Sequence, residues 1–183
     1  TWLVDPLCGT VPFSTGMGHW GVNIGLRNGQ ALELGVLTLP FMNEQLTSVQ
    51  GKGVLRNGRP WSASAPGAAL SDVAVSLDID GGKDWERLLG GGLEWVPSVG
   101  QINSFSSSAY SMAQICLGRL AAGVYYRIGP MHLAAGAVIA QELGLHVTDA
   151  TGESIDWGSD NDLPVVVVGW PEVHAQLIKA MQS

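Results

Sequence analysis

The sequence predicts an α/β or α+β fold in which strands and helices stack as the layers of a sandwich. Apolar runs that fit strands alternate with stretches of helical periodicity from the start of the chain to its end. Two Asn-Gly pairs between apolar runs predict tight hairpins, because a type I′ turn needs a positive φ at both central positions. With 46% hydrophobic and 14% charged residues, residues 1–183 are expected to form one domain with a sizeable core.

The predicted elements of the first half are strands. Residues 2–10 (WLVDPLCGT) contain a short apolar run, a carboxylate and two turn-forming residues. They predict a buried strand that carries polar groups at its C-terminal end. Strands at 19–26 and 31–38 flank the first Asn-Gly pair, which begins at Asn28, and a second hairpin surrounds the pair that begins at Asn57.

The second half is predicted to mix strands and helices. Periodicity, glycine breaks and proline positions predict a strand at 72–79, a short helix at 84–89, a helix at 109–120, a strand at 125–127, a helix at 133–143, a buried strand at 165–168 and a helix that starts at Pro171. The core-facing residues of the helix at 109–120 are expected to be Met112, Ile115, Cys116 and Leu120.

Composition excludes several classes of partner. A net charge of −7 with nine Lys and Arg residues leaves no basic surface for a nucleic acid backbone, so small molecules or proteins are the expected partners. No apolar stretch approaches the roughly 20 residues of a membrane helix, and no membrane association is expected. Two cysteines that are far apart fit a reducing compartment, so we expect a cytoplasmic location.

Two stretches carry a resemblance to a known family. Residues 2–10 resemble the D-P-[LI]-D-G-T signature of the inositol monophosphatase family of magnesium-dependent phosphatases. Residues 131–136 (MHLAAG) resemble the W-D-x-A-A-G signature of the same family, and the hairpin at 51–60 resembles its K-G-x-G-A-x-x-N-G stretch. The resemblance spans nearly the whole chain. It implies a layered α-β-α-β-α sandwich, of which this chain would form the C-terminal two-thirds without the first helices and strands.

The start of the chain has consequences under this resemblance. Family members carry an upstream segment that supplies two helices, part of the first sheet and a metal-binding glutamate. A chain that begins at Thr1 is expected to be a processing product or fragment, a subunit completed by another chain, or a true loss. An uncovered strand invites aggregation, so we expect a companion chain or a second copy in a homodimer to cover it. Thr1 as an N-terminal nucleophile is a minor alternative.

Two departures from the family signatures decide the expected chemistry. The resemblance implies two Mg²⁺-binding aspartates at the positions that Cys8 and His132 occupy here. If the family geometry holds, both side chains point at one former metal position, where a thiol and an imidazole form a nucleophile–base pair. Asp5 is expected to orient His132. The N–H groups of Gly9 and Thr10 are expected to bind an anion, since the family turns into a helix there. The resemblance also makes Thr10 a candidate catalytic residue, because it helps to position the attacking water in the family; the alternative is that Thr10 only caps the helix.

Other candidate residues concern the substrate. Ser106, Ser107 and Ser108 fall where the family has a small-residue run that lines its substrate pocket, which indicates a polar ligand, although a serine-rich turn before a helix is the commoner explanation. Arg127 lies near the position of a substrate-binding glutamate in many members. A cation there favours an anionic substrate.

Three hypotheses remain from the sequence. The favoured one is a hydrolase or acyl/amide transferase that uses Cys8 and His132 without a cofactor. The second is a zinc-dependent hydrolase in which Asp5, Cys8 and His132 bind the ion, with Mg²⁺ disfavoured because thiolate and imidazole are soft ligands. The third is a non-catalytic pseudophosphatase that binds or regulates a partner. A conventional Mg²⁺-dependent phosphatase is the least favoured interpretation.

Overall fold

The structure is a computed structural model that describes residues 1–79 and 91–183. Two sheets organise it. The first is antiparallel throughout and its strands follow chain order: β1 (Trp2–Cys8), β2 (Gly21–Asn28), β3 (Ala31–Leu39), β4 (Glu44–Val49), β5 (Val54–Arg56) and β6 (Arg59–Trp61). The second has the order β10-β11-β9-β7-β8, and its strands are β7 (Ala74–Ile79), β8 (Gln101–Asn103), β9 (Ala122–Ile128), β10 (His146–Thr148) and β11 (Leu163–Gly169). Strand β7 is parallel to both β8 and β9.

Helices separate and cover these sheets. In the described part of the chain they are α1 (Thr10–Ser14), α2 (Ser108–Cys116), α3 (Pro130–Glu142) and α4 (Pro171–Met181). Helices α2 and α3 lie between the two sheets and share a core with residues of both. Helix α4 packs on the opposite face of the second sheet, where Val173 and Leu177 are fully buried. The predicted layered α+β fold is confirmed.

Small residues fix the position of α3 against the first sheet. A Cβ on Gly35 would lie 2.3 Å from the carbonyl oxygen of Ala135, so only glycine permits this approach of strand and helix. On the other side of α3, a Cβ on Gly136 would lie 2.6 Å from Cε of Met112 in α2. Because α3 cannot slide without opening these contacts, the side chains in its first turn are held in place relative to β1.

The opening strand is less buried than the sequence predicted. Leu3 and Asp5 are buried, whereas Trp2 is 60% exposed and Val4 is 44% exposed. The alternation arises because one face of the antiparallel sheet packs on α3 and the other does not. The strand also continues past Pro6 to Cys8, with an irregular register between Asp5 and Cys8.

The two Asn-Gly hairpins differ. Asn57 and Gly58 have φ of 49° and 75° between paired residues of β5 and β6, as a type I′ turn requires. At the first hairpin Asn28 stays in β2, and Gly29 has a positive φ of 60° without a matching one at Asn28. The type I′ prediction is wrong there, because a register shift after Leu26 moves the two-residue loop one position along the chain.

Two further predictions need correction or fall outside the described residues. Helix α2 ends at Cys116 rather than at residue 120, because Gly118 turns the chain with a φ of 72°. Leu120 is buried but does not belong to the helix. The helix predicted at 84–89 lies outside the described residues. Within the described ranges, no helix combines the length and the apolar character needed to cross a membrane.

Candidate functional site

A polar cleft lies where loops from both sheets meet. Its volume is about 480 Å³, and it is lined by residues of the β1–α1 turn, the end of β7, the segment before α2, the end of β9 and the start of α3: Asp5, Leu7, Cys8, Gly9, Thr10, Val11, Asp78, Ile79, Ser106, Ser107, Ser108, Ile128 and His132. Most of the residues predicted for the site from the sequence are therefore brought to one cleft. Arg127 is not among the lining residues.

Asp5 and His132 form an ion pair at the base of the site. Asp5 faces inward from β1, His132 lies in the first turn of α3, and Nδ1 of His132 is 2.6 Å from Oδ2 of Asp5. The hydrogen bond that His132 donates to Asp5, with a further contribution from Cys8, raises the pKa of His132 to about 10. Burial tends to raise the pKa of Asp5, but the hydrogen bond and charge of His132 hold it below its ordinary value. His132 is therefore an imidazolium at neutral pH.

Cys8 joins this pair from the end of β1. Its Sγ accepts a hydrogen bond of 3.2 Å from the N–H of Ala109 and lies 3.6 Å from Oγ of Ser108. Its carbonyl oxygen accepts a hydrogen bond of 2.9 Å from Oγ of Ser107, which also accepts from the N–H of Tyr110 as the N-cap of α2. The thiol contacts the start of α2 and not that of α1, because the left-handed Gly9 turns the chain away.

The three side chains form one cluster. One ligand atom from each of Asp5, Cys8 and His132 can be chosen so that all lie within 4.8 Å of one another. A carboxylate, a thiol and an imidazole at this separation can hold one divalent cation. Among the residues that the structure describes, no other group of three or more Asp, Glu, His or Cys side chains brings its ligand atoms this close together.

The β1–α1 turn depends on a glycine. Gly9 has a φ of 96°, and a Cβ there would lie 2.7 Å from the carbonyl oxygen of His19. Thr10 donates its hydroxyl to the carbonyl oxygen of Leu7 at 3.3 Å, which closes the turn. The anion-binding role of Gly9 and Thr10 stays a prediction.

The remaining predicted residues are placed as follows. Ser106 lines the cleft with a left-handed φ of 55°, and Ser107 and Ser108 support Cys8 as described above. Arg127 is exposed, with a φ of 52°. Because Arg127 lies outside the cleft lining, its contact with a substrate stays a prediction without geometric support.

Sequence reasoning missed Asn23. It is fully buried on β2, directly across from Asp5 in the sheet register. Its Nδ2 donates to the carbonyl oxygen of Met131 at 3.0 Å, so it ties the residue before His132 to the first sheet. Its Oδ1 has no hydrogen-bond partner among the residues that the structure describes. A polar amide between the apolar residues Val22 and Ile24 was the available signal.

Sequence reasoning also missed Asp78, near the C-terminal end of β7. It is 3% exposed, and its Oδ2 accepts hydrogen bonds from Oγ of Ser76 at 2.9 Å and from Oγ of Ser111 at 2.7 Å. Burial raises the pKa of Asp78, although the two hydroxyl groups oppose that effect. The signal was the pattern already used for Asp5, a carboxylate that follows an apolar run.

Comparison with solved structures defines the fold class. The chain matches the extragenic suppressor protein SuhB from Bartonella henselae with a TM-score of 0.84 and 25% identity, over 100% of this chain and 72% of that one. It matches the inositol monophosphatase from Thermotoga maritima with a TM-score of 0.83 and 26% identity, over 99% of this chain and 68% of that one. The mixed two-sheet fold is thus shared with these proteins.

The chain belongs to the inositol monophosphatase family, whose family model matches residues 1–183. Among sequence relatives, inositol monophosphatase 3 from Solanum lycopersicum is 31% identical over 85% of this chain and 59% of its own length. The Nus factor SuhB of Pseudomonas aeruginosa is 29% identical over 82% of this chain and 57% of its own length. The chain spans about 60% of the length of the curated relatives it matches.

Family membership corrects one expectation. The sequence had suggested that the site uses no cofactor and that Mg²⁺ is disfavoured. This is wrong, because the family is Mg²⁺-dependent and its related proteins point to metal cofactors. The cluster of Asp5, Cys8 and His132 is the place in the described residues where a cation fits by donor type and separation.

Proposed function

We propose that this chain forms the cation-binding and phosphate-binding part of a phosphomonoesterase that acts on the phosphate ester of a small polar alcohol. One observation carries the proposal: in a chain of this family, the donor atoms of Asp5, Cys8 and His132 converge within 4.8 Å on the wall of a polar cleft. A bound divalent cation would supply a positive charge that polarises the phosphate ester.

The three donors have defined tasks in this proposal. Asp5 supplies the oxygen donor and, through its bond to Nδ1, sets the orientation of the His132 ring. Ala109 and Ser108 fix the position of the Cys8 sulfur. The buried arrangement means that these groups need little reorganisation when a cation enters.

Proton and cation compete for this site. The imidazolium of His132, with a pKa of about 10, must lose a proton before either ring nitrogen binds a cation. Cation binding is therefore expected to release a proton and to strengthen as the pH rises toward 10.

Hydrolysis assays test the proposal. Phosphate release from an inositol monophosphate and from para-nitrophenyl phosphate is measured with Mg²⁺, Mn²⁺ or Zn²⁺ and with EDTA. We expect cation-dependent release that falls about a hundredfold or more in His132→Ala and Cys8→Ala, since each removes a cation ligand.

Two control variants match these substitutions. His146→Ala removes an exposed histidine, and Cys116→Ala removes the other free cysteine, which is buried away from the cleft lining. Both are expected to keep the cation-dependent activity. Phosphate release that EDTA does not reduce, or that survives His132→Ala and Cys8→Ala, would contradict the proposal.

A second candidate is covalent catalysis by Cys8, the interpretation first favoured from the sequence. The N–H of Ala109 that points at Sγ favours it. The raised pKa of His132 does not decide between the two candidates, because an imidazolium beside the cysteine is also compatible with a cysteine nucleophile. The relatives reported above lend no support to a cysteine nucleophile or a transferase. Complete loss of phosphate release in EDTA that added divalent cation restores would exclude this cofactor-independent candidate.

The expectations about partners and location stay predictions. A small-molecule substrate is part of the proposal above, whereas a companion chain or homodimer, the absence of nucleic acid and membrane partners, and a cytoplasmic location are untested. One relative carries the name Nus factor SuhB. Cation binding without turnover of any phosphate ester would favour a binding or regulatory role for this chain.

A further inference from the structure

Asp78 binds the segment that precedes helix α2. It is 3% exposed near the end of β7, and its Oδ2 accepts a hydrogen bond of 2.7 Å from Oγ of Ser111 in α2. The N–H groups of Phe105 and Ser106 donate to the same carboxyl. A carboxylate is costly to bury, and these donors offset part of that cost. One buried side chain therefore connects β7 both to α2 and to the residues before it.

This segment contains an unfavourable backbone conformation. Ser106 has a φ of 55°, in the left-handed region that is unfavourable for residues other than glycine. Such a conformation persists only where its surroundings hold it, and the N–H of Ser106 is one of the donors to Asp78. Ser107 follows directly as the N-cap of α2. The carboxyl of Asp78 therefore acts at the point where the chain turns into the helix.

The residues that follow Ser106 bind Cys8. Oγ of Ser107 donates to the carbonyl oxygen of Cys8 at 2.9 Å. The N–H of Ala109 donates to its Sγ at 3.2 Å, and Oγ of Ser108 lies 3.6 Å from the same sulfur. Because these groups belong to consecutive residues, a shift of the segment moves all of them relative to Cys8.

We propose that Asp78 is a positioning residue, which holds residues 105–109 so that the N–H of Ala109 and the hydroxyl of Ser108 meet the sulfur of Cys8. This inference deepens the proposed function and rests on it for the role of Cys8 as a cation ligand. Groups that hydrogen-bond to a metal ligand fix its direction and thereby raise the affinity for the metal. In this role Asp78 does not itself bind the cation.

Titration of the full chain with Co²⁺ tests the inference. The cobalt affinity and the sulfur-to-cobalt charge-transfer band that a thiolate ligand produces are measured in the wild type, Asp78→Ala and Asp78→Asn. Asp78→Ala removes the acceptor for all donors of the segment, so we expect cobalt binding to weaken about tenfold and the band to lose intensity. Asp78→Asn keeps one acceptor oxygen and should bind cobalt within about threefold of the wild type.

A double-mutant cycle decides whether Asp78 acts through Cys8. If it does, Asp78→Ala has little further effect on cobalt affinity in a Cys8→Ala background, because the sulfur that it positions is absent. A general structural role of Asp78 would instead weaken cobalt binding equally in both backgrounds. Equal weakening contradicts the inference.

Two control variants separate positioning from stability. Ser76→Ala removes a hydrogen bond of 2.9 Å to Oδ2 of Asp78, but Ser76 belongs to β7 and not to the segment before α2. Val173→Ala opens the packing of α4 on the opposite face of the second sheet. We expect both to bind Co²⁺ with wild-type affinity, although the free energy of unfolding in urea falls in Val173→Ala. Cobalt binding that weakens as much in Val173→Ala as in Asp78→Ala contradicts the inference.

Hydrogen exchange in the metal-free chain makes failure of the inference distinguishable from failure of the proposed function. We expect amide exchange in residues 105–111 to be faster in Asp78→Ala than in the wild type, and exchange in α3 to be unchanged. Unchanged exchange in residues 105–111, or an unchanged cobalt band in Asp78→Ala, overturns the role of Asp78 and leaves the proposed function standing. A wild type that binds no Co²⁺ through Cys8 contradicts the proposed function, and faster exchange at 105–111 in Asp78→Ala then still supports the hold of Asp78 on this segment.

Discussion

Asp5 and Asp78 are two buried carboxyl groups that line the same cleft, yet their surroundings shift their pKa values in opposite directions. Asp5 contacts an imidazole, and the pKa values of both partners shift in the directions that stabilise the charged pair. Asp78 contacts hydroxyl groups, and burial raises its pKa. Burial alone therefore does not decide in which direction the pKa of a carboxyl in this cleft shifts. The decisive difference is whether a cation accompanies it.

The largest expected effect comes from removing the charge of Asp5. Asp5→Asn leaves the half-buried imidazole of His132 without its anionic partner, so we expect the free energy of unfolding at pH 7 to fall by about 2 kcal/mol. Urea unfolding measures this difference. Asp78→Asn is the matched control, because Asp78 is as buried as Asp5 and accepts its described side-chain hydrogen bonds from hydroxyl groups and not from a cation. A fall of similar size in both variants would remove the contrast between the two groups.

The two carboxyl groups should also give opposite pH dependence of stability. The raised pKa of His132 contributes stability that is fully present below 6.5 and is lost as the pH rises through about 10. The lowered pKa of Asp5 contributes stability that is present above 3.8 and is lost as the pH falls. The raised pKa of Asp78 contributes in the other sense, with stability present below 3.8 and lost as the pH rises through its folded value.

Urea unfolding across this pH range checks the signs. In Asp5→Asn, the free energy of unfolding should depend less on pH both at acidic pH and near pH 10, because the Asp5–His132 pair is gone. In Asp78→Asn, the decrease in the free energy of unfolding that burial of Asp78 causes above pH 3.8 should be absent. The predicted opposite pH dependence is contradicted if both variants have the same pH profile of stability as the wild type.

A smaller effect, on cation affinity, is expected from substitution of Asn23. This residue contacts the segment that carries His132 and lies across from Asp5 in the sheet. Asn23→Ala removes the hydrogen bond to the carbonyl oxygen of Met131 and loosens His132, so cation affinity should fall about tenfold with the fold retained. Calorimetric titration with Zn²⁺ or Mn²⁺ measures this. Asn23→Ser serves as the comparison, because a hydroxyl keeps a donor at a shorter reach and should lose less affinity. Unchanged affinity in Asn23→Ala would show that Met131 needs no such support.

The sequence signatures were sufficient to locate the group of site residues around Asp5. Asp5 and Cys8 lie in one signature and His132 in another, so the resemblance brought them together before any geometry was known. Ala135 lies in the second signature as well, and its close approach to Gly35 holds α3 against the first sheet. Such features are local in sequence or repeat a known pattern.

The roles of Asn23 and Asp78 could not be predicted from the signatures. The place of Asn23 depends on its register opposite Asp5, and the state of Asp78 depends on burial and on Ser111, which is 33 residues away. The direction of the Cys8 thiol was missed for a related reason, since its partner Ala109 lies 101 residues away. Long-range packing decides these contacts, and periodicity carries no information about it.

The central claim is that Asp5, Cys8 and His132 bind one divalent cation. Absorption spectroscopy of the Co²⁺-loaded chain tests it most directly, because a thiolate ligand gives a sulfur-to-cobalt charge-transfer band that oxygen ligands do not give. We expect one equivalent of Co²⁺ to produce this band, Cys8→Ser to abolish it, His132→Ala to weaken cobalt binding, and Cys116→Ala to leave both unchanged. A stoichiometric cobalt complex without a sulfur band, or a band that persists in Cys8→Ser, would contradict the claim.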